Sequence, residues 1–315
     1  MWAYRLSGPE RLERIEVAEP DDPADGDVVV RFGTGGICGS DVPKFHRAEL
    51  HSGRDLVGPG WPLHELTGTV ALSRSPRFAT GDRVVGFVRG AAGLAEYPLC
   101  DAAQLVPVPA DVAAERAVVI QPLATVLYAV DRLGDVAGKR AAVLGLGSIG
   151  LLFAAVLSAR GAQVTGVDPI DRVAVAEQFG IGELATTTAE AWATGLPPAQ
   201  RFDVCVEAVG HQTATLPAAF EAVAPGGQVY AFGVPDHDHY ELPFRGFFGK
   251  AATLLTGVTG EWAPSLAAAA RYLAERPALA DGYITHRFGI DAAQTAYETA
   301  SRSEPGRLKV VIDAP

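Results

Sequence analysis

Residues 141–150 read AAVLGLGSIG, a short apolar run that breaks at Gly145, Gly147 and Gly150 and passes into an apolar, alanine-rich stretch reaching Arg160. Three glycines at this spacing between a strand and a helix leave few folding options. The first permits a tight turn, the second lets backbone amides approach an anion, and the third lets the helix pack closely on the strand. The helix then presents its unpaired N–H groups and the positive end of its dipole to whatever lies on the turn. The uncharged run Ala141–Ala159 is long enough to suggest a membrane span, but its glycines divide it into two buried elements, and no membrane partner is expected. A dinucleotide is the ligand this arrangement favours, with Gly145, Gly147, Ser148, Ile149 and Gly150 around its pyrophosphate. Asp168 closes the next strand, VTGVD, where a carboxylate accepts from the adenosine ribose hydroxyls and repels a 2′-phosphate. That favours NAD, while Arg172, four residues on, keeps NADP open by offering to line the adenine edge or offset the repulsion.

The alternation continues beyond this turn. Val164–Val167, Val204–Val206 and Val229–Phe232 read as strands, and Ile149–Arg160, Val173–Phe179 and Leu216–Val223 as helices, which predicts a doubly wound parallel sheet. The tips after two of these strands, at Val209 and Gly233, border the nicotinamide half in such a sheet. The first hundred residues differ, with short strands at Val28–Phe32, Leu66–Leu72 and within GDRVVGFV. After Gly257 come helices at Ser265–Glu275 and Ala292–Ser301 and a closing strand, Lys309–Ile312. The expectation is an α/β protein with a second, β-rich domain.

Asp and Glu number 37 against 26 Lys and Arg, for a net charge of −11, which argues against a nucleic-acid partner. The N-terminal residues carry charges in place of an apolar leader, and the 3 cysteines are too few and dispersed for a disulfide scaffold. Both point to the cytoplasm.

Cys38-Gly39-Ser40-Asp41 follows a strand in a glycine-rich loop, and His64-Glu65 begins another. Thiolate, imidazole and carboxylate are a sound three-ligand set for catalytic zinc with one position open. Spacing alone leaves this beside the simpler reading of an ordinary loop cysteine and strand histidine. Lys44, His46, Arg47, His51 and Arg54 form a basic cluster beside the loop, either a solvated face or a receiver for a substrate anion.

In order along the chain, GICGSD, HELTGTV, GDRVVGF, GLAEYPL, IQPLATVLYAV, VLGLGSIGLL and THRFGIDAAQTAYETA…RLKVVI resemble the medium-chain, zinc-dependent alcohol and polyol dehydrogenase superfamily. The resemblance implies a GroES-like catalytic domain from residues 1–121 and 257–315 and a Rossmann dinucleotide-binding domain from 122–256. It implies zinc on Cys38 and His64, with Glu65 a further ligand or a switching partner, Ser40 bonding the substrate oxygen, and Asp41 orienting His64. Three positions depart from the family pattern: Leu63 replaces a glycine, Pro43 replaces a proton-relaying histidine, and Gln121 replaces an acidic ligand. The first crowds the ligand strand, the second makes His46 the nearest substitute relay, and the third leaves the metal to the other three ligands. CGSD-x-P also occurs in galactitol-phosphate-type members, so the substrate expected is the secondary alcohol of a polyol, sugar or cyclitol, with a phosphorylated one second. The four-cysteine structural-zinc lobe is missing, so zinc is expected at the catalytic site alone. A homodimer or homotetramer is expected, by edge-to-edge pairing through Tyr230–Gly257. The competing readings are a zinc-free quinone or enoyl reductase and a non-catalytic NAD(H)-binding protein.

Overall fold

A computed structural model describes residues 1–46 and 58–315 and divides the chain into two compact units. The first holds residues 1–124, 260–303 and 307–315; the second holds 125–259 and 304–306. Arg47, His51 and Arg54 lie outside the described residues.

In the first unit, β1 (Trp2–Gly8) and β2 (Arg11–Glu16) form an antiparallel hairpin. They are followed by β3 (Asp27–Gly36), α1 (Asp41–His46), β4 (Glu65–Ser73), β5 (Arg83–Phe87), β6 (Leu99–Asp101), β7 (Leu105–Pro107) and α2 (Ala114–Ala117). The boundary between units falls within α3 (Ile120–Leu133). Beyond the second unit's elements come α9 (Trp262–Glu275), β14 (Ile284–Gly289), α10 (Ala293–Ser301) and β15 (Lys309–Asp313). The larger sheet runs β14-β15-β3-β4-β5-β7, with β6 also on β3. Its inward residues, Val28, Val30, Phe32, Leu66, Val70 and Val84 among them, share one apolar core with Trp2, Tyr4 and Tyr297. The β3–β4 register shifts twice, between Val29 and Val30 and between Phe32 and Thr34. Gly68 permits the close crossing there, since a Cβ would lie 2.3 Å from the Arg31 carbonyl oxygen. Such bulges re-aim the strand beyond them, and here they set Gly36 opposite Glu65.

The second unit contains β8 (Arg140–Leu144), α4 (Ser148–Ala159), β9 (Gln163–Asp168), α5 (Val173–Ala176), β10 (Glu183–Thr186) and α6 (Ala189–Thr194). It continues through β11 (Phe202–Glu207), α7 (Thr215–Ala222), β12 (Val223–Ala231), α8 (Phe244–Gly249) and β13 (Thr253–Thr256). The six strands are parallel and ordered β10-β9-β8-β11-β12-β13, the dinucleotide-binding order of a Rossmann sheet. The uncharged run Ala141–Ala159 is divided between β8 and α4. No helix among the described residues is long and apolar enough to cross a membrane.

Candidate active site

In the first unit, β3 ends at Gly36 and the chain turns through Cys38-Gly39-Ser40 into α1. The Asp41 N–H donates to the Cys38 carbonyl at 3.0 Å, and the Asp41 carboxylate accepts from the Cys38 N–H at 3.1 Å, so the turn is closed from both sides. The same carboxylate accepts from His64 Nδ1 at 2.9 Å and from Lys44 Nζ at 3.3 Å. Because a carboxylate only accepts, the Nδ1 proton is fixed, and Nε2 of His64 is the nitrogen that would give up its proton to bind a metal. Burial would raise the Asp41 pKa, but the His64 ring and the Lys44 ammonium hold it below the ordinary carboxylate value. Burial likewise opposes charge on His64, yet Asp41 and Cys38 push its pKa up to about 10. The pull that retains a proton on His64 is the pull a metal cation would feel.

One ligand atom each from Cys38, His64 and Glu65 lies within 4.8 Å of the others. Glu65 is fully buried, and its Oε1 accepts no hydrogen bond among the described residues. Three donors of the thiolate, imidazole and carboxylate types converging around an orphaned buried oxygen fit a zinc ion with one position left open. The other Glu65 oxygen, Oε2, lies 2.5 Å from Nζ of Lys309, which is 1% exposed and also donates to the Ile37 carbonyl at 2.9 Å. Gly36 makes room for this pair, since a Cβ there would stand 2.3 Å from Glu65 Oε2 and 2.9 Å from Lys309 Cε. Tyr297 is buried behind the group, and burial together with the charges of Asp41, Cys38 and Glu65 raises its pKa.

Ser40 is half-buried in the turn after Cys38. His46 ends α1 with Nδ1 on Glu10 Oε1 at 2.6 Å, at the surface. The two described members of the basic cluster, Lys44 and His46, are thus each paired with a carboxylate. Leu63 is fully buried, and Gly35 gives it space, since a Cβ at Gly35 would lie 2.4 Å from Leu63 Cδ2. Gln121 is buried as well. Lys309, Lys44 and Tyr297 went unmarked in the sequence reading of the metal site. Their only signal is a lysine inside the closing strand, a basic loop residue three after an aspartate, and an aromatic in an amphipathic helix.

In the second unit, Gly145 has φ +90°, and a Cβ at Gly150 would stand 1.8 Å from the Gly145 carbonyl oxygen. A Cβ at Gly147 would meet nothing within 4 Å, and Gly147 caps α4 without any side-chain bond to the first helical amides. An open cradle over free amides, with Ser148 and Ile149 opening the helix, fits a pyrophosphate. Asp168 Oδ2 accepts from the Leu146 N–H at 2.6 Å and Oδ1 from the Ile170 N–H at 2.7 Å, which fixes the carboxylate beside the turn. Arg172 is 4% exposed, and its guanidinium donates to the Glu304 carbonyl at 3.4 Å. Val209 leans over Gly145, where a Cβ would lie 2.4 Å from Val209 Cγ2, so the tips after β8 and β11 meet. Glu207 Oε1 accepts from the Val209 and Gly210 amides at 3.0 Å each and so holds that tip; Gly233 packs against Gly210.

Because a methyl group at Gly147 meets no protein atom among the described residues, Gly147→Ala is expected to weaken binding of a nicotinamide dinucleotide by about tenfold or more while leaving the melting temperature within a few degrees. Calorimetric titration beside a thermal scan checks this, and equal affinities would show that no phosphate lies over Gly147.

Residues 148–274 match the zinc-binding dehydrogenase family, and residues 24–110 match the alcohol dehydrogenase GroES-like domain. The galactitol 1-phosphate 5-dehydrogenase of Escherichia coli strain K12 is 25% identical over 340 residues, covering 94% of this chain and 96% of the relative. The zinc-type alcohol dehydrogenase-like protein YphC of the same strain is 29% identical, covering 100% and 99%. Among solved structures, the alcohol dehydrogenase TADH from Thermus sp. ATN1 superposes with a TM-score of 0.84 at 25% identity over 100% of both chains. The chain belongs to the medium-chain, zinc-type alcohol and polyol dehydrogenase superfamily, oxidoreductases that act on CH–OH donors.

Proposed function

We propose that the protein oxidises the secondary alcohol of a polyol, sugar or cyclitol to the ketone, and catalyses the reverse, by zinc-assisted hydride transfer with NAD. The observation that carries this reading is the convergence of Cys38, His64 and Glu65 with Asp41 behind the imidazole. These three residues would hold a single catalytic zinc. A bound zinc polarises the substrate oxygen and lowers the hydroxyl pKa, which makes the attached carbon a better hydride donor. Ser40, in the turn beside Cys38, takes the hydroxyl proton and passes it outward. His46 is the next candidate along that route, with Glu10 on its Nδ1 as the final acceptor. Asp41 fixes the tautomer and orientation of His64, and Lys309 balances the Glu65 charge inside the domain.

Gly145, Gly147, Ser148, Ile149 and Gly150 hold the pyrophosphate, Asp168 the adenosine ribose, and Val209 and Gly233 border the nicotinamide. The commitment of Arg172 to the Glu304 carbonyl, together with the fixed charge of Asp168, favours NAD over NADP. The galactitol phosphate relative supports the polyol class. The three cysteines are free thiols, which suits a reducing cytoplasm. The direct test is a panel of polyols, sugars and cyclitols with NAD and NADP side by side, followed by nicotinamide absorbance. Turnover of at least one polyol with a preference for NAD supports the reading; reduction of quinones or enones with no alcohol oxidised would replace it with the zinc-free reductase.

The same reading includes a homodimer or homotetramer. β13 is the outer strand of its sheet, and Leu254 on it is 40% exposed. An unpaired edge with an apolar side chain suits pairing with a second copy. Light scattering is expected to give a dimer or tetramer that Leu254→Lys shifts towards monomer; a monomeric wild type would reject it.

A further inference from the structure

Aromatic rings lead away from the candidate metal ligands within the first unit. The His64 and Phe87 ring centroids are 5.0 Å apart, and Phe87 stacks on Trp262 at 4.8 Å with their planes 22° apart. Strand register accounts for the first step, since Glu65 on β4 pairs with Phe87 on β5 and brings that ring beside the neighbouring His64. Trp262 is the first residue of α9, so its side chain departs from a helix end and not from a packed helix face.

The pair does not behave as core. Both rings are half-buried, and neither belongs to the apolar cluster that fills this unit. Trp2 and Trp61 of the same unit, by contrast, are buried within that cluster. The Trp262 indole N–H makes no hydrogen bond among the described residues, which leaves it available as a donor. A half-open stacked pair with a spare donor beside a polar site suits a ligand with a C–H face and a hydroxylated edge.

We infer that Phe87 and Trp262 form the specificity-determining wall for the hydroxylated carbon chain of the substrate. The C–H face of a sugar alcohol or cyclitol lies on the indole, and the indole N–H donates to a hydroxyl remote from the carbon that is oxidised. Phe87 acts through Trp262, holding the indole plane in position. The inference rests on the polyol reading above and adds to it the residues that separate polyols from simple alcohols.

The test compares an acyclic sugar alcohol with 2-butanol in the wild type, Trp262→Phe and Trp262→Ala. The ratio of kcat/KM for the sugar alcohol to that for 2-butanol is expected to fall by about tenfold or more in Trp262→Ala. Trp262→Phe, which keeps a ring and loses the donor, is expected to fall between that variant and the wild type. Binding is read independently by tryptophan emission of the zinc-loaded protein without nicotinamide. The sugar alcohol should shift the wild-type emission, and Trp262→Phe should lose that shift. An unchanged ratio with polyols still oxidised would overturn the wall and leave the reaction standing. An emission shift without oxidation of any alcohol would support the wall and overturn the reaction. Neither binding nor oxidation of polyols would overturn both.

Discussion

Cys38→Ala is expected to lower kcat/KM for alcohol oxidation by about a thousandfold and bound zinc to below about a tenth of an equivalent. Cys38 is the one thiol placed with His64 and Glu65, and a carboxylate and an imidazole alone make a weaker, harder site. The other two cysteines supply the control. Cys100 and Cys205 are fully buried, and burial pushes both thiols well above their ordinary pKa, so neither offers a thiolate. Cys100→Ala should therefore retain its zinc. Metal analysis of protein purified without chelator, beside nicotinamide absorbance, checks both variants. Full zinc occupancy in Cys38→Ala would remove the proposed site.

Lys309→Met is expected to destabilise the metal-free protein by about 3–5 kcal/mol, because it leaves the Glu65 carboxylate buried without its cation. Zinc supplies a second cation to the same carboxylate. At about one hundred times its Kd, a ligand specific for the folded state returns about 2.7 kcal/mol. Denaturant unfolding with chelator and then with zinc should show the variant recovering more than the wild type, since Lys309 no longer competes for Glu65. Lys309→Met combined with Glu65→Gln should recover stability in chelator and gain little from zinc. A single variant less than about 1 kcal/mol weaker than wild type in chelator would contradict the assigned pairing.

The parts of the site legible in the sequence are those whose parts are close in sequence. Gly145, Gly147 and Gly150 each act within one turn, so their spacing carried the proposed phosphate cradle, and the parallel sheet followed from the alternation around it, while its strand order did not. Cys38 and Asp41 are similarly close, and a single turn joins them. That His64 and Glu65 reach that turn depends on β3 and β4 pairing with two register shifts, which spacing does not reveal. Lys309 is harder still. It enters because the closing strand inserts between β14 and β3, and a lysine in an apolar strand reads as solvent-facing until that sheet order is known. Leu63 illustrates the same limit: expected to crowd the ligand strand, it fills space left by Gly35 on a neighbouring strand.

Element ends shifted for local reasons. α9 begins at Trp262, ahead of the expected Ser265, because Pro264 is tolerated in a first helical turn. The helical run expected over Val173–Phe179 is assigned as helix only over Val173–Ala176. β10 and β13 are short, and none of β10, β13 and β14 carries a buried residue, so periodicity did not mark them. The last tail residues of the second unit, Glu304–Gly306, bear on the proposed preference for NAD, since the Arg172 guanidinium donates to the Glu304 carbonyl.

The most direct test of the central claim is X-ray absorption at the zinc edge on protein purified without chelator. The account predicts about one zinc per chain with a single sulfur neighbour at about 2.3 Å and the remaining nitrogen and oxygen neighbours at about 2.0–2.2 Å. A protein holding less than about a tenth of an equivalent of zinc, or a zinc with no sulfur neighbour or more than one, would contradict it.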